Sequence, residues 1–506
     1  MKDKTIDLSL LLLPLSIIIF LASLLFIFPE MTQLIIKELN YFFVNKMGVF
    51  YTVIGLFVLI TSIFIACSKY GNVQLGNIEK PRYTGLKWGS LIFTATMAAD
   101  ILYWSLIEWA YYYGANPNSL GDLSAIERQQ IASTYPLFHW GPIPWAFYIL
   151  PATAYAYMFF VRKGKKQTLS EACRPILKDK LDKGLGKFID IVAIVGFLGG
   201  TATTFALATP LMTNAVNNLL GLDSDRSITI LVLLLNGLLF TMAVLFGMKA
   251  ITHLAMTSVF IFFIFLAYVF FLGPTRFIIE SGISGIGNML QNFIGMATWT
   301  DPLRLTGDGV SGFPQQWTIF YWAYWIAWFV ATPFFIAKIS EGRTIRQMIG
   351  GAYFYGIAGT FTSFIVFGNF GLYQQVTGKV NAAQMLANDV APSEVILKLL
   401  EQLPGGNSVL LIILFIAMLA FYASTFDAIT LVVAGFTRKT LLGNEQPDRK
   451  LRAVWAGVFI ILPIALIWSE STLVMLQTVS IIAAFPLGII MLLIIFSFLK
   501  ELSIRS

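Results

Sequence analysis

Long apolar runs recur along the whole chain, and short polar segments separate them. A helix needs roughly 18 or more apolar residues to cross a hydrocarbon core of about 30 Å. Twelve runs reach this length, and we number them as spans 1 to 12: 8–28, 48–67, 89–113, 136–161, 187–218, 228–247, 252–273, 316–337, 347–370, 407–435, 452–469 and 474–499. The pattern predicts an all-α polytopic membrane protein with twelve transmembrane helices.

A further apolar stretch, 275–297, is interrupted by Gly282, Gly285 and Gly287. A helix of this kind can lie along the membrane surface without crossing it. We therefore predict an interfacial helix at 275–297 and no additional span. No low-complexity segment or soluble domain stands out, so residues 1–506 are expected to form a single membrane domain.

Composition and charge agree with this interpretation. The chain is 57% hydrophobic and 12% charged, which is more apolar surface than a soluble core would bury. The net charge of +7 comes largely from Lys and Arg in alternate short loops, above all 162–187, so these residues set topology and do not indicate nucleic-acid binding. With those loops in the cytoplasm, both termini of a twelve-span protein of the cell membrane lie inside.

Two spans contain residues that interrupt helices. Span 4 has Gly141 followed by Pro142 and Pro144, and span 8 has Thr332 and Pro333. An unpaired backbone group in hydrocarbon costs several kcal/mol, so a break inside a span indicates a position that faces protein or a water-filled cavity. Transporters commonly bind their substrates where interrupted helices of two repeats meet, and a repeat of spans 3–7 in spans 8–12 would suit this layout.

Aromatic residues crowd both interruptions. Trp145 and Tyr148 share one helical face, as do Trp325 and Trp328, and Trp140 precedes the proline break. Single membrane tryptophans more often form belts at the membrane surface, but these residues lie inside their spans. A trimethylammonium group has no N–H to donate, and desolvated aromatic faces can each stabilise such a cation by about 2 kcal/mol. The cluster therefore predicts a site for a quaternary-ammonium compound.

The strings Phe138–Tyr148 and Trp317–Trp328, with Ile339–Arg346 after them, resemble the signature of the betaine/choline/carnitine transporter (BCCT) family. The resemblance covers nearly the whole chain. It implies a secondary transporter that imports choline, glycine betaine or carnitine. It also implies a LeuT-like fold with two N-terminal helices (8–67), two inverted five-helix repeats (89–273 and 316–499) and the interfacial helix between them. Members of the family often form homotrimers.

By this resemblance, a central aromatic box would be lined by Trp140, Trp145, Tyr148, Trp325 and, from span 3, Tyr111. Trp322 and Trp328 would lie beside the box, with Trp328 on the cytoplasmic exit path. The family usually has tryptophan where this chain has Tyr324. The tyrosine retains an aromatic ring and adds a hydroxyl, and this departure leaves the exact substrate open. Met97 and Asp100 would also contribute, because they belong to the stretch of span 3 that passes the box.

The resemblance also implies an ion site. Sodium-coupled members use a hydroxyl pair of span 10 together with backbone carbonyls, and the matching residues here are Ser424, Thr425, Phe421, Thr94 and Met97. Thr203 and Thr204 in span 5 match a second hydroxyl pair less well. The alternative is structural, since hydroxyls inside helices often bond only to the preceding turn. The coupling ion would be sodium or a proton, and no cofactor, metal or catalytic residue is expected.

Acidic residues are rare inside the spans, where each costs roughly 2.5–3.5 kcal/mol to insert. Glu108 and Asp427 could serve helix packing through hydrogen bonds. Asp100 stands where glycine-betaine carriers of the family have glycine, and choline-preferring members can carry aspartate there. Betaine balances its own ammonium group with a carboxylate, whereas choline is net cationic. We therefore predict a preference for a net-cationic substrate, with Asp100 as its counter-charge unless that carboxylate pairs only with a neighbouring hydroxyl.

Other functions fit less well. Ser258 and Thr332 stand where ion-independent exchangers of the family have arginine and methionine, which disfavours an exchanger. An amino-acid and sodium symporter of the same fold would favour a glycine-rich unwound stretch, which 94–100 lacks. A membrane-embedded enzyme is disfavoured because His139 and His253 are scattered and no nucleophile adjoins a base. A channel would need a ring of charges or a repeated filter loop, and neither is visible.

Overall fold

The computed structural model describes residues 6–96, 98–117, 122–164, 166–223, 225–246, 248–306, 311–439, 441 and 446–504, and within these ranges it describes no side chains for 246–255. The described chain is helical, with two isolated β-bridges and no longer strand. The single membrane domain remains a prediction, and so do the predicted boundaries of the two repeats.

The first half of the chain forms eleven α-helices: α1 (Leu8–Ile27), α2 (Pro29–Tyr41), α3 (Gly48–Cys67), α4 (Gly85–Thr94), α5 (Ala99–Gly114), α6 (Ala125–His139), α7 (Pro142–Tyr157), α8 (Leu169–Ala172), α9 (Arg174–Leu177), α10 (Leu185–Leu220) and α11 (Arg226–Phe246). The second half forms eleven more: α12 (Met248–Leu272), α13 (Thr275–Thr298), α14 (Ile319–Trp328), α15 (Thr332–Ile339), α16 (Ile345–Ser363), α17 (Asn369–Val376), α18 (Ala382–Ala387), α19 (Pro392–Leu400), α20 (Val409–Phe436), α21 (Arg449–Trp468) and α22 (Leu473–Ile504). Single π-helical turns extend α7 through 158–162, precede α14 at 314–318 and join α16 to α17 at 364–368.

Within the described ranges, nine helices are long and apolar enough to cross a membrane, and three bent pairs bring the number to twelve if each pair is one span. The pairs are α4 with α5, the end of α12 with α13, and 314–328 with α15. The predicted all-α polytopic class is confirmed. The sharply broken pairs α4–α5 and α14–α15 begin the two predicted five-helix repeats, as a LeuT-like fold requires.

Span 4 begins earlier than the hydropathy pattern predicts, at Ala125 instead of residue 136. Ser124 and Glu127 form a capping box, in which the Glu127 N–H donates to Ser124 Oγ at 3.3 Å and the Ser124 N–H donates to Glu127 Oε2 at 2.8 Å. This arrangement starts a helix through hydrogen bonds and needs no apolar residues. The first turns of α6 are mostly polar, so hydropathy alone could not detect them.

The predicted breaks in spans 4 and 8 are present. α6 ends at His139 and α7 begins at Pro142. A Cβ on Gly141 would lie 2.5 Å from the carbonyl oxygen of Leu137, so a residue with a side chain would not fit between the two helices. In span 8 the chain bends by 55° between α14 and α15, where Pro333 occupies the first turn of α15, a position that suits proline.

Span 3 is also broken, and this corrects the continuous span predicted for 89–113. α4 ends at Thr94, α5 begins at Ala99, and the two helices are bent by 63°. The stretch contains neither glycine nor proline. Instead, the hydroxyls of Thr94 and Thr96 donate to the carbonyls of Leu91 and Phe93, at 3.2 and 2.6 Å. Each of these carbonyls also accepts a backbone N–H group at 3.1 Å, from Ala95 and Thr96, so the two hydroxyls add contacts to the last turn of the helix.

The segment predicted to be interfacial forms a separate helix, α13, turned by 105° from the helix before it. This turn suits a helix that lies along a surface. Two of its glycines permit close packing, because a Cβ on Gly282 would lie 2.5 Å from Ile365 and a Cβ on Gly285 would lie 2.8 Å from the Ser133 carbonyl.

The centre of the bundle is formed by α10, which packs against α14, α20, α21 and α22. Its 36 residues give it a length of about 54 Å. α10 approaches α14 most closely at Gly200, where a Cβ would lie 2.4 Å from the Cβ of Ala327. Two of the interrupted helices, α5 and α14, therefore pack against a continuous central helix.

Candidate functional site

A cavity of about 420 Å³ lies at the three helix breaks, between α4–α5, α6–α7, α14–α15 and α20. This volume is within the usual range of small-molecule sites. The predicted site residues that line it are Thr94, Asp100, Trp140, Trp145, Tyr148, Tyr324, Trp325, Trp328, Ser424 and Thr425. The structure therefore brings together residues from four separate parts of the sequence.

Four aromatic rings form one contiguous cluster in this cavity, which we call the aromatic cage: Trp140, Trp145, Tyr148 and Trp325. The Trp325 ring is central, with centroids 5.4 Å from Trp140, 5.6 Å from Trp145 and 4.6 Å from Tyr148. Trp140 and Trp145 meet Trp325 edge-on, as aromatic pairs prefer. Within the described part of the chain, the indole N–H groups of Trp325 and Trp328 have no hydrogen-bond partner.

α16 supports the cage from outside. The Thr360 hydroxyl donates to the carbonyl of Trp140 at 2.8 Å, and the Trp145 indole N–H donates to the same hydroxyl at 3.4 Å. One turn earlier, Gly356 lies so close to Trp145 that a Cβ there would be 2.7 Å from the indole ring. Both cage tryptophans of span 4 are therefore held by this face of α16.

A buried polar network lies behind Trp140. Its indole N–H donates to Glu108 Oε2 at 2.7 Å, and the Tyr112 hydroxyl donates to Glu108 Oε1 at 2.8 Å. The same hydroxyl lies 2.8 Å from His139 Nδ1, and His139 Nε2 lies 3.1 Å from the Thr318 hydroxyl. Glu108 and His139 are fully buried. The geometry favours a helix-packing role for Glu108, and the network also ends on a residue of the cage.

Asp100 lies in the first turn of α5 and lines the cavity. The Tyr324 hydroxyl donates to Asp100 Oδ2 at 3.1 Å, and it also lies 2.5 Å from the Thr204 hydroxyl. Asp100 therefore pairs with a hydroxyl while it also adjoins the space that a substrate would occupy. The first turn of a helix favours a negative charge, because its backbone N–H groups have no partner within the helix.

The predicted ion-site residues are only partly brought together. Thr94, Ser424 and Thr425 line the same cavity. Ser424 donates to the carbonyl of Phe421 at 2.9 Å, which is the bond to the preceding turn that the structural alternative predicts. Phe421 itself is buried, and Met97 lies outside the described residues.

Four other predicted residues do not line the cavity in the described part of the chain. Tyr111 follows Asp100 by eleven residues, which is about 16 Å along α5. Its ring packs against Trp317, with ring centroids 4.8 Å apart. Trp322 packs against Phe138 at 5.3 Å. Thr203 lies toward α22, where its hydroxyl donates to the Leu476 carbonyl. Thr204 reaches the site only through Tyr324.

One end of the cavity carries charged residues that the sequence analysis did not assign to the site. Lys338 of α15 and Asp427 of α20 both line it. Asp427 forms an ion pair with Arg452 of α21, whose side chain is buried. Lys338 falls just beyond the predicted end of span 8, and no periodic pattern connects Arg452 with Asp427, so hydropathy gave no signal for either.

The third family-like string, Ile339–Arg346, joins α15 to α16 outside the cavity. The Arg343 guanidinium donates to the Tyr83 carbonyl at 3.0 Å and stacks over the Trp88 ring, 4.2 Å from its centroid. Burial lowers the pKa of Arg343 from its ordinary value. This arginine therefore ties the connection between α15 and α16 to the start of span 3.

Comparisons with known proteins indicate the class of protein to which this helical bundle belongs. A sequence profile described as "BCCT, betaine/carnitine/choline family transporter" matches residues 9–506. The chain is 30% identical to a carnitine transporter of Acinetobacter baumannii over 90% of its own length and 82% of that protein. It is 29% identical to the glycine betaine transporter OpuD of Bacillus subtilis, over 94% and 90%.

Two further matches are a probable glycine betaine transporter of Desulfitobacterium hafniense and a solved structure of a sodium-coupled sialic acid symporter. The first is 29% identical over 94% of the chain and 93% of the relative. The second, in a substrate-bound outward-open state, is 14% identical with a TM-score of 0.43. The match covers 88% of this chain and 87% of the symporter chain.

A bundle of up to twelve spans around a cavity at helix breaks is the architecture of a membrane transporter. The chain belongs to the betaine/carnitine/choline transporter family, because the family profile matches nearly its whole length. It is therefore a membrane transporter and not an enzyme.

Proposed function

We propose that the chain imports a quaternary-ammonium compound across the cell membrane by secondary active transport, with a preference for a net-cationic substrate such as choline. The observation that carries this proposal is a single cavity that contains both the aromatic cage and the Asp100 carboxylate. The relatives are named as carnitine and glycine betaine transporters, and both of those compounds are zwitterions. The carboxylate is the feature that favours a substrate without one of its own.

The cage and the carboxylate stabilise a cation in different ways. Each desolvated aromatic face contributes about 2 kcal/mol to binding a cation, so several faces offset much of the dehydration cost of a trimethylammonium group. The carboxylate balances the remaining charge in a site of low dielectric constant, where an unpaired charge is costly. A zwitterion brings its own negative charge, and Asp100 would oppose it.

The two ends of the cavity indicate the conformational state of the protein. Its lining continues to Gly435, Leu441 and Pro447, which adjoin the basic loop after α20 that the charge pattern assigns to the cytoplasm. On the other side of the cage, Tyr112 packs against both Trp317 and Phe313. This arrangement suits an inward-facing state, with both termini in the cytoplasm.

We propose sodium or protons as the coupling ion. Thr94, Ser424 and Thr425 supply hydroxyls at the cavity wall, and oxygens at interrupted helices are the ligands that transporters use for sodium. Uptake of radiolabelled choline, glycine betaine or carnitine into proteoliposomes under imposed sodium or proton gradients distinguishes these cases. Uptake that depends only on internal substrate would identify an exchanger instead.

Replacement of a cage ring tests substrate recognition. We expect Trp325→Ala to weaken choline binding about 30-fold, since about 2 kcal/mol of cation–π interaction is lost. The matched control is Trp468→Ala, because Trp468 is an exposed residue at the end of α21. Titration of purified protein with choline measures both variants, and equal affinities for parent and Trp325→Ala would reduce the cage to a packing cluster.

A further inference from the structure

Tyr324 and Thr204 form a hydroxyl chain that ends on the cavity carboxylate. The Tyr324 hydroxyl has one proton, which it donates to Asp100 Oδ2 at 3.1 Å. The contact of 2.5 Å between the Tyr324 and Thr204 hydroxyls therefore uses the Thr204 proton, because a tyrosine hydroxyl has only one proton to donate. The chain runs from Thr204 through Tyr324 to Asp100, and each bond in it polarises the next.

The chain connects three helices. Thr204 lies on the central helix α10, Tyr324 on α14 and Asp100 at the start of α5. The Tyr324 ring is buried against Phe320, with centroids 5.4 Å apart. Its hydroxyl therefore has a fixed position relative to Trp325, the cage residue on the same helix. Asp100 lies next to the break of span 3, where the backbone N–H groups of Asp100 and Ile101 also hydrogen-bond to its carboxylate. Tyr324 is the side chain that donates to this carboxylate from another helix.

We infer that Tyr324 is a specificity-determining residue that positions the Asp100 carboxylate toward a cationic substrate, and that Thr204 holds Tyr324 in that role. The hydroxyl bonds to one oxygen of a carboxylate that lines the cavity. It also stabilises the negative charge that the cation meets. This inference rests on the proposed function, since it assumes that a quaternary-ammonium compound binds in the cavity.

The test is a double-mutant comparison of Tyr324→Phe and Asp100→Asn, read as the ratio of choline to glycine betaine affinities in competition binding. We expect Tyr324→Phe to lower this ratio about tenfold, the usual effect of one hydrogen bond to a charged group. Thr204→Val should lower it in the same direction by less. In the Asp100→Asn background, Tyr324→Phe should leave the ratio unchanged, because the charge that it positions is gone.

Tyr155→Phe is the matched control. Tyr155 is fully buried, and its hydroxyl has no hydrogen-bond partner among the described residues, so its removal should not alter the ratio. A purely structural role for Tyr324 would reduce both affinities together and leave the ratio intact.

Three outcomes overturn the inference: an unchanged ratio in Tyr324→Phe, an equal effect of Tyr324→Phe with and without Asp100, or an unchanged ratio in Asp100→Asn. Failure of the proposed function looks different, because the parent protein would then bind neither choline nor glycine betaine. If the parent binds both compounds and Tyr324→Phe does not change the ratio of their affinities, only the positioning role of Tyr324 is refuted.

Discussion

Gly356 offers a way to move a cage tryptophan without changing any cage residue. It lies on α16, and a Cβ added to it would be 2.7 Å from three atoms of the Trp145 ring. An ordinary contact is at least 3.4 Å, so Gly356→Ala requires the ring or the helix to shift by about 0.7 Å. The ring is confined on its other sides by Tyr148 and Trp325, and displacement would therefore carry into the cage.

The size of the effect follows from the cost of overpacking. Adding a methyl group to a closely packed site costs about 1–3 kcal/mol, which corresponds to a loss of about 5- to 150-fold if it falls on substrate binding. The substitution also raises helix propensity by about 1 kcal/mol, so α16 should remain folded. We expect weaker choline binding with little loss of thermal stability.

The assay is a binding titration with choline, together with a thermal unfolding curve, on purified Gly356→Ala protein. Gly350→Ala is the matched control, because Gly350 lies on the same helix, is exposed and has no atom within 4 Å of the added Cβ. The control should bind as the parent does. Parent-like binding by Gly356→Ala as well would refute the idea that α16 holds the cage in its binding geometry.

Three further predictions concern the groups around the cavity. Glu108→Gln turns an amide N–H group toward one of two donors, and the unfolding midpoint should fall because a buried donor left without its acceptor costs about 1–3 kcal/mol; an unchanged midpoint would speak against the network. Arg452→Met leaves Asp427 without its ion pair and should cost about 3 kcal/mol of stability; the double variant with Asp427→Leu should recover most of it, and a double variant as unstable as the single one would contradict this. Replacing Ser424 and Thr425 with alanine should weaken the sodium dependence of uptake more than substrate binding at saturating sodium, a result excluded if uptake by the parent never depends on sodium.

The sequence predicted the elements that follow from apolar length and from helix-breaking residues. The twelve runs correspond to helices or bent pairs, and the breaks at Gly141 and Pro333 fall where those residues occur. The break of span 3 escaped prediction because the stretch has no glycine or proline. The threonines whose hydroxyls bond to its last turn are not by themselves a signal inside a span. A threonine hydroxyl can bond to the preceding turn within an intact helix or at a helix break, and a single sequence does not distinguish these two outcomes.

Residue pairs that are distant in sequence were the other limit. The aromatic cage could be expected because its members cluster in two short strings. The bonds of Tyr324 to Asp100 and Thr204, and of Arg452 to Asp427, join residues of different helices. Burial gives a polar group a strong need for some partner, but it does not say which helix will supply that partner.

The contact between Gly200 and Ala327 has a mechanical consequence. A transporter must expose its cavity to each side of the membrane in turn, which requires interrupted helices to rock against a continuous one. At Gly200 the two backbones approach so closely that even a methyl group would not fit, so a side chain there would push α14 away from α10. Ala327 lies two residues after Trp325, so a movement of α14 against α10 at this contact would also move that ring of the aromatic cage.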